Sequence, residues 1–354
     1  MGVAQERVEL GLLGRSPLWP ELMGLPIERR FAVQLHQAQL ADQLRTFALP
    51  LTLTPFASAR PCSARCTFCS ETLQHRDAQR LSASLRPGAH YGAQLRAVLK
   101  DLRTVPLGFS LSGLEQTDDP DFFATVLDAV KAHRESGAPI EESVLYSNGA
   151  GLTQATHGAR LLPRLREITR IELSRHASTQ PRNDAIMRFR PGVEVARREV
   201  FERVAQDAAQ HTHVRLVCVV QRGGVWDLDT LRAYLDWARA IGVRDVVFRE
   251  LSRLGDLYRP NRTLRLIEDG RVAIESLIAP ALGWDALRLE RVTAGYYWWN
   301  LRARWDDVEV TFETSDYVEM KRRHQSGVIY KLVFHADGTL GADWDPDREV
   351  LHRY

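Results

Sequence analysis

Three of the chain's 4 cysteines, Cys62, Cys66 and Cys69, lie within eight consecutive positions in Arg60-Pro61-Cys62-Ser63-Ala64-Arg65-Cys66-Thr67-Phe68-Cys69-Ser70-Glu71. The fourth, Cys218, stands alone. Secreted disulfide scaffolds spread many cysteines through a short chain, so this distribution points to metal chemistry instead. Soft thiolates suit iron–sulfur clusters, and three of them can hold three irons of a [4Fe–4S] cube. The fourth iron then lacks a local protein ligand, and an open metal position marks a working site. A zinc site with His75 as fourth ligand is the competing reading, although zinc loops usually pair their cysteines as two short-spaced knuckles. A purely electron-carrying cluster is another, but it usually takes four cysteines. Cys218 sits in the apolar run Val214–Val220 and reads as a small buried hydrophobe rather than a fourth ligand.

The elements that must position this loop alternate along the chain. Leu49–Ala57 reads as extended, with Leu49, Leu51 and Leu53 alternating with Pro50, Thr52 and Thr54. Strands are then predicted at Leu107–Ser112, Ser143–Ser147, Ile168–Ser174, Val214–Gln221 and Val243–Glu250. Between them, helices are predicted at Gly88–Val105, Asp121–Arg134, Thr156–Arg166, Val195–Ala209 and Leu228–Ile241. Strands alternating with helices imply βαβ crossovers and a parallel sheet. Runs such as Val214-Arg215-Leu216-Val217-Cys218-Val219-Val220 suggest a sheet covered on both faces. The expected fold class is α/β, a partial (β/α)6 barrel over residues 48–255. A helical extension is expected over 1–47, because Arg29–Leu44 carries apolar residues at mostly helical spacing. A small antiparallel appendage is expected over 256–354, with a helix at Thr263–Ala281 and strands at Tyr296–Trp305, Val308–Thr314 and Val328–His335. Asp337-Gly338 is a turn signal there. The cysteines follow the first strand, and parallel sheets gather functional groups at the carboxyl ends of their strands.

Composition narrows the class. The 354 residues carry 47 Lys plus Arg against 45 Asp plus Glu, a net +2, with 44% hydrophobic and 26% charged residues. That is ordinary globular composition, with no bias toward nucleic acid or a membrane surface. No signal-like apolar region or membrane-length span is present, and Glu6 breaks the myristoylation pattern after Met1-Gly2. A cytoplasmic protein is expected.

The cysteine loop resembles the radical S-adenosylmethionine superfamily, whose signature is C-x3-C-x2-C with an aromatic residue before the last cysteine; Phe68 fits that place. The resemblance covers roughly Leu49 to Leu251. It implies a [4Fe–4S] cluster held by Cys62, Cys66 and Cys69, with S-adenosylmethionine chelating the open iron. It further implies one-electron cleavage of the sulfonium to methionine and a 5′-deoxyadenosyl radical, which takes hydrogen from a substrate. A low-potential donor such as flavodoxin or ferredoxin would supply the electron. The family's Gly-Gly-Glu, which holds the methionyl amino group, is matched by Gly113-Leu114-Glu115, with leucine replacing one glycine. Ser147-Asn148-Gly149 is similar to the Thr-Asn-Gly turn of the molybdenum-cofactor cyclase branch, and is also a plain turn sequence. Ser174 matches a serine that often meets the ribose or carboxylate of the cofactor. Arg175 and His176 follow it as candidates for the cofactor carboxylate, the substrate or catalysis. The basic loop with Arg182, Asn183, Asp184, Arg188 and Arg190 can grip an anion or stay solvated. Arg249 and Glu250 point to opposite faces of the sixth strand, so one of them faces the site.

No cysteine follows Cys218, which implies a single cluster and no auxiliary-cluster domain. The aromatic group Tyr296-Tyr297-Trp298-Trp299 with Trp305, Tyr317, Tyr330 and Trp344 packs a small sheet or walls the barrel mouth. The expected substrate is a small polar metabolite, such as a nucleoside or sugar. A peptide substrate and a non-enzymatic zinc or iron–sulfur protein are the alternatives.

Overall fold

Where the spacing of Arg29–Leu44 predicts a helix, the computed structural model has strands. It describes residues 11–30, 33–58, 60–69, 73, 85–153, 157–254, 261–295 and 297–354. Two short helices, Gly11–Arg15 and Trp19–Leu22, lead into β1 (Ile27–Arg30), β2 (Gln34–Leu40) and β3 (Gln43–Leu49). Strands β2 and β3 pair antiparallel about Ala41 and Asp42, whose φ values of 47° and 63° make a tight hairpin turn. Leu35 and Leu44, which complete the helical stripe in sequence, are 55% and 62% exposed. Of the buried residues, Ala38, Leu40 and Phe47 share one face of the hairpin with a period of two, and Ala48 lies on the other. The helix expected at Arg29–Leu44 is corrected accordingly, while the helical reading of the residues before Ile27 keeps two short helices.

Six strands then run parallel and side by side in chain order: β4 (Leu51–Phe56), β5 (Leu107–Leu111), β6 (Ile140–Ser147), β7 (Arg170–Ser174), β8 (His213–Val220) and β9 (Asp245–Glu250). The crossovers carry the helices Tyr91–Asp101, Pro120–Glu135, Arg198–Ala209 and Leu228–Ala240. Between β6 and β7 the predicted helix shrinks to Gly158–Leu161 followed by a 3₁₀ segment, Leu162–Glu167. Pro163 explains this, since it lacks the amide a longer α-helix would need. Thr263–Ala281 divides into helices Arg262–Gly270 and Ile274–Ala281, parting after Gly270, a residue of high conformational cost in a helix.

The remaining strands are β10 (Leu287–Gly295), β11 (Trp299–Trp305), β12 (Val308–Glu313), β13 (Val328–Ile329), β14 (Leu332–His335), β15 (Thr339–Gly341) and β16 (Val350–Arg353). They do not form a separate appendage. β12 joins β9 and β14 joins β4, both in parallel, so the carboxyl-terminal strands extend both edges of the main sheet. Its order is β1-β10-β11-β12-β9-β8-β7-β6-β5-β4-β14-β15-β16, and β13-β3-β2 form a second, three-stranded sheet. The β11–β12 and β14–β15 hairpins are antiparallel as expected, the latter turning through Gly338 at φ 85°.

The two faces of the parallel strands differ. Leu145, Ile171, Leu173, Leu216, Cys218, Val220, Val246 and Phe248 belong to the buried core on the helix-covered face. The opposite face presents Ser110, Tyr146, Ser174, Arg215, Val219 and Arg249, all half-buried. The expectation of a sheet covered on both faces holds only in part: one face is packed, and the other is more open and carries these polar side chains beside buried Val144, Glu172, Val217 and Val247.

Candidate functional site

The cysteine loop leaves β4 and is stitched to the loops after the next three strands. Ser63 donates its amide to Asp118 Oδ2 (2.7 Å) after β5, and Asn148 Nδ2 after β6 donates to Ser63 Oγ (2.9 Å). The segment after β7 forms a short ribbon with it. Arg65 N donates to Met187 O (3.0 Å), Thr67 N to Ile186 O (2.9 Å) and Arg190 N to Ser63 O (2.9 Å). Arg190 Nε also reaches Cys62 O (2.7 Å). Arg190 thus acts as a strut of the loop rather than a free anion grip.

Cys62, Cys66 and Cys69 are half-buried and not joined in disulfides. Desolvation pushes the Cys66 thiol up to about 12 and the Cys62 thiol well above its usual range, with neighbouring Cys69 and Glu115 adding to the effect. The Cys62 and Cys66 thiols are therefore neutral without a metal, and a bound cation is what would offset the burial of thiolate charge. Two donors already face Cys62 Sγ, the Ala64 amide (3.4 Å) and Asn148 Nδ2 (4.0 Å). Among the described residues, no three His, Cys, Asp or Glu side chains converge closely enough for one ion. Thiols spaced along a loop suit separate irons of a polynuclear cluster better than one tetrahedral zinc. His75, the expected fourth zinc ligand, lies outside the described residues, as does Tyr296.

Behind the loop sits a buried acceptor. Gly113 has φ 89°, and a Cβ there would lie 2.4 Å from the Phe56 ring, so glycine is required on both counts. Leu114 also takes a positive φ of 55°. This turn directs Glu115 inward to 2% exposure. Glu115 Oε1 accepts from Thr117 Oγ1 (2.5 Å), Thr117 N (3.3 Å) and Ser147 Oγ (2.8 Å), while Oε2 accepts from Asn148 N (2.6 Å). Burial first, then the nearby Asp118 carboxylate, raise its pKa. The carboxylate that the resemblance assigns to the methionyl amino group is thus engaged by the chain itself. Ser147 and Asn148 belong to the same box, and only Asn148 reaches the cysteine loop directly.

Strand alternation separates the residues after β7. Ser174 ends the strand half-buried on the open face. His176 packs edge-on against Phe68, the residue before the last cysteine, with ring centroids 4.8 Å apart. Its Nδ1 accepts from Val219 N (3.0 Å), so the ring proton belongs on Nε2. Burial pushes its pKa down to about 3, with adjacent Arg175 contributing, so the ring is neutral. Asn183 Oδ1 accepts the His176 amide (2.9 Å) and fixes this turn.

Arg175 goes the other way. It is 0% exposed, with its guanidinium over the rings of Phe201 (5.1 Å) and Trp237 (5.5 Å) and no hydrogen-bond partner among the described residues. The structure does not bring it to the cysteines. A buried, unpaired guanidinium carries a desolvation penalty that its aromatic contacts only partly offset. Arg175→Met is therefore expected to leave the thermal midpoint unchanged or raise it. A fall of more than about 1 kcal/mol in unfolding free energy would show instead that the charge is stabilising.

On β9 the question of orientation resolves. Glu250 lies on the helix-covered side and pairs with Arg271. Arg249 lies on the open face, where its Nε and Nη2 reach Glu313 Oε2 on β12 (3.1 and 3.0 Å) and Nη2 lies 3.5 Å from Glu172 Oε2 on β7. Glu172 and Glu313 were not singled out in the sequence. The signal for Glu172 was present, a lone charge between Ile171 and Leu173 in an apolar strand. Glu313 has no such local signal. The aromatic group does not form one wall: Trp299 is buried in the core, Trp305 packs on Trp284 (5.7 Å) and Trp344 on Phe56 (5.2 Å).

No family model matches the chain, and no curated protein matches it. Solved structures do. Native anSMEcpe with bound AdoMet is 16% identical with a TM-score of 0.44, over 56% of this chain and 51% of that one. SuiB of Streptococcus suis bound to S-adenosylmethionine is 12% identical with a TM-score of 0.48, over 84% of this chain and 61% of that one. TYW1 with a lysine-pyruvate adduct bound is 12% identical with a TM-score of 0.33, over 57% and 62% of the two chains. The chain spans about half the length of the first of these, at 51%. Among the described residues, no helix is long and apolar enough to cross a membrane.

Proposed function

We propose that this chain is a radical S-adenosylmethionine enzyme with one [4Fe–4S] cluster on Cys62, Cys66 and Cys69, built on a partial (β/α)6 barrel. The observation that carries this reading is the three-thiol loop after β4, tied by Ser63 to Asp118 and Asn148 at the carboxyl ends of the neighbouring strands. Held by Cys62, Cys66 and Cys69, the cluster would supply the electron for reductive cleavage of S-adenosylmethionine to methionine and a 5′-deoxyadenosyl radical. The chain's own residues supply the setting. Asn148 and Ala64 place N–H groups at Cys62, and neutral His176 packs on Phe68, the neighbour of Cys69 in the chain. Ser174 and Arg249 face the polar, open side of the sheet, which suits a small polar substrate. The electron donor in this reading is a flavodoxin or ferredoxin.

A peptide substrate is the second reading, and one observation favours it. Strand β2 is the outer strand of the small β13-β3-β2 sheet and pairs on one side only among the described residues. An edge of that kind can accept an added strand.

Protein purified without oxygen is expected to be brown, with about four irons and about four sulfides per chain. After reduction it is expected to form 5′-deoxyadenosine from S-adenosylmethionine. Colourless protein with one zinc and no sulfide would overturn the proposal.

A further inference from the structure

The open face of the sheet holds a charged pair whose free valences match one kind of ligand. Arg249 and Glu313 are register partners on adjacent parallel strands, near the carboxyl ends of both. Their side chains are 30% and 29% exposed, whereas Glu172 beside them is only 1% exposed. The Glu313 contacts use the Nε and Nη2 atoms of Arg249 and the Oε2 atom of Glu313. Arg249 Nη1 and Glu313 Oε1 take no partner among the described residues. On these partly buried side chains, Arg249 Nη1, the second hydrogen of Nη2 and Glu313 Oε1 are therefore left for a ligand, with Glu172 Oε2 3.5 Å from Nη2. Glu172 is fixed from behind: its Oε1 meets Arg170 Nε (3.0 Å) and Arg215 Nη1 (3.5 Å). Burial raises the Tyr146 and Tyr297 phenols, with Glu172 adding to the first and Tyr317 and Glu313 to the second, so both stay protonated.

The pair is also connected to the cysteine loop. Arg249 lies in register with Val219, whose amide is bonded to His176 Nδ1 (3.0 Å), and His176 packs on Phe68. Phe68, Val219 and Tyr317 pack together against Leu73, Leu251 and Leu254 over this end of the sheet.

We propose that Arg249 and Glu313 bind the carboxylate and the ammonium group of a free α-amino acid, which is the substrate. This rests on the radical S-adenosylmethionine reading above and names its substrate class. The Nη1–Nη2 edge of Arg249 fits a carboxylate in two parallel hydrogen bonds. The free Oε1 of Glu313 accepts the ammonium. A carboxylate alone would leave Glu313 desolvated and facing it, and an amine alone would leave the guanidinium edge unpaired, so each half-ligand is penalised. An internal peptide residue offers neither group.

The test is calorimetric titration of the reconstituted holoenzyme, with S-adenosylmethionine present, using each proteinogenic α-amino acid. The N-acetyl and carboxamide derivatives of any that bind follow. At least one free amino acid is expected to bind, and both of its derivatives to bind about tenfold more weakly or worse. Arg249→Met and Glu313→Gln are each expected to lose about tenfold or more for that amino acid while S-adenosylmethionine affinity stays within about twofold. Arg249→Lys, which keeps charge without the fork, is expected to recover only part of the loss. The absence of amino acid binding would overturn the proposal, as would binding indifferent to the blocking groups or to both substitutions. It would also be overturned if S-adenosylmethionine affinity were what fell in both variants, since the zwitterion held would then be the cofactor's own. If a variant fails to fold, the wild-type derivative series decides. Failure of the wild type to bind S-adenosylmethionine overturns the radical reading, and the amino acid titrations still judge the pair.

Discussion

Cys66→Ala protein, reconstituted with iron and sulfide in the same way as wild type, is expected to be pale and to form no 5′-deoxyadenosine above background. The loss should exceed the ~10–100-fold that removal of an outer-sphere partner typically causes, because a direct ligand is gone. Folding should survive. The loop is held by backbone bonds from Arg65 to Met187, Thr67 to Ile186 and Arg190 to Ser63, and by the Ser63–Asp118 and Asn148–Ser63 contacts; none uses the Cys66 thiol. The metal-free variant should therefore unfold within about 1 kcal/mol of metal-free wild type. Iron content, absorbance and product formation should fall together. Cys218→Ala, which removes a thiol buried in the strand core, should leave iron content untouched. Product formation in Cys66→Ala at the wild-type rate would refute the ligand assignment, and normal iron content would refute it independently.

Much of this arrangement is legible in the residues themselves. The cysteine spacing marks the loop, and the alternation of apolar runs with helical stripes marks β4 to β9. Strand parity also carries more than the spacing of single residues suggests. Ile171 and Leu173 belong to the packed face, so alternation carries Arg175 to that face and leaves Glu172, Ser174 and His176 on the other. The structure follows that parity. On β9 the same rule is silent, because Val246, Val247 and Phe248 are all apolar and no polar position marks the open face before Arg249. The β2–β3 hairpin is hidden for another reason. Its apolar residues are split between the two faces, with Leu35 and Leu44 opposite Ala38 and Leu40, so they show no clean two-residue period, and the deciding feature is a turn at Ala41-Asp42, where alanine gives no turn signal. The destinations of β12 and β14 depend on pairing with β9 and β4 far away in sequence, which no local pattern encodes.

Glu115→Ala separates two roles that the sequence motif alone leaves merged. If the carboxylate serves only to hold a cofactor, its removal lowers cofactor affinity and leaves the unliganded protein as stable as before. The structure predicts otherwise. Removing a carboxylate that is 2% exposed strands the amides of Thr117 and Asn148 and the hydroxyls of Thr117 and Ser147. Hydroxyls can turn to other acceptors but amides cannot, so two lost amide bonds at ~1–3 kcal/mol each set the scale, about 3 kcal/mol overall. In a chain of 354 residues, an unfolding entropy of ~2.1 cal/mol/K per residue converts that into a midpoint lower by roughly 4 °C. The same box holds the turns bearing Asp118 and Asn148, and these grip Ser63 in the cysteine loop. Iron retention should therefore fall along with stability, although Glu115 touches no cysteine by hydrogen bond. Glu115→Gln keeps one carbonyl acceptor but turns an amide NH₂ toward either the Thr117–Ser147 side or the Asn148 amide, so it should recover only part of the midpoint. An unliganded Glu115→Ala protein with the wild-type midpoint would show that the carboxylate is free for a ligand after all.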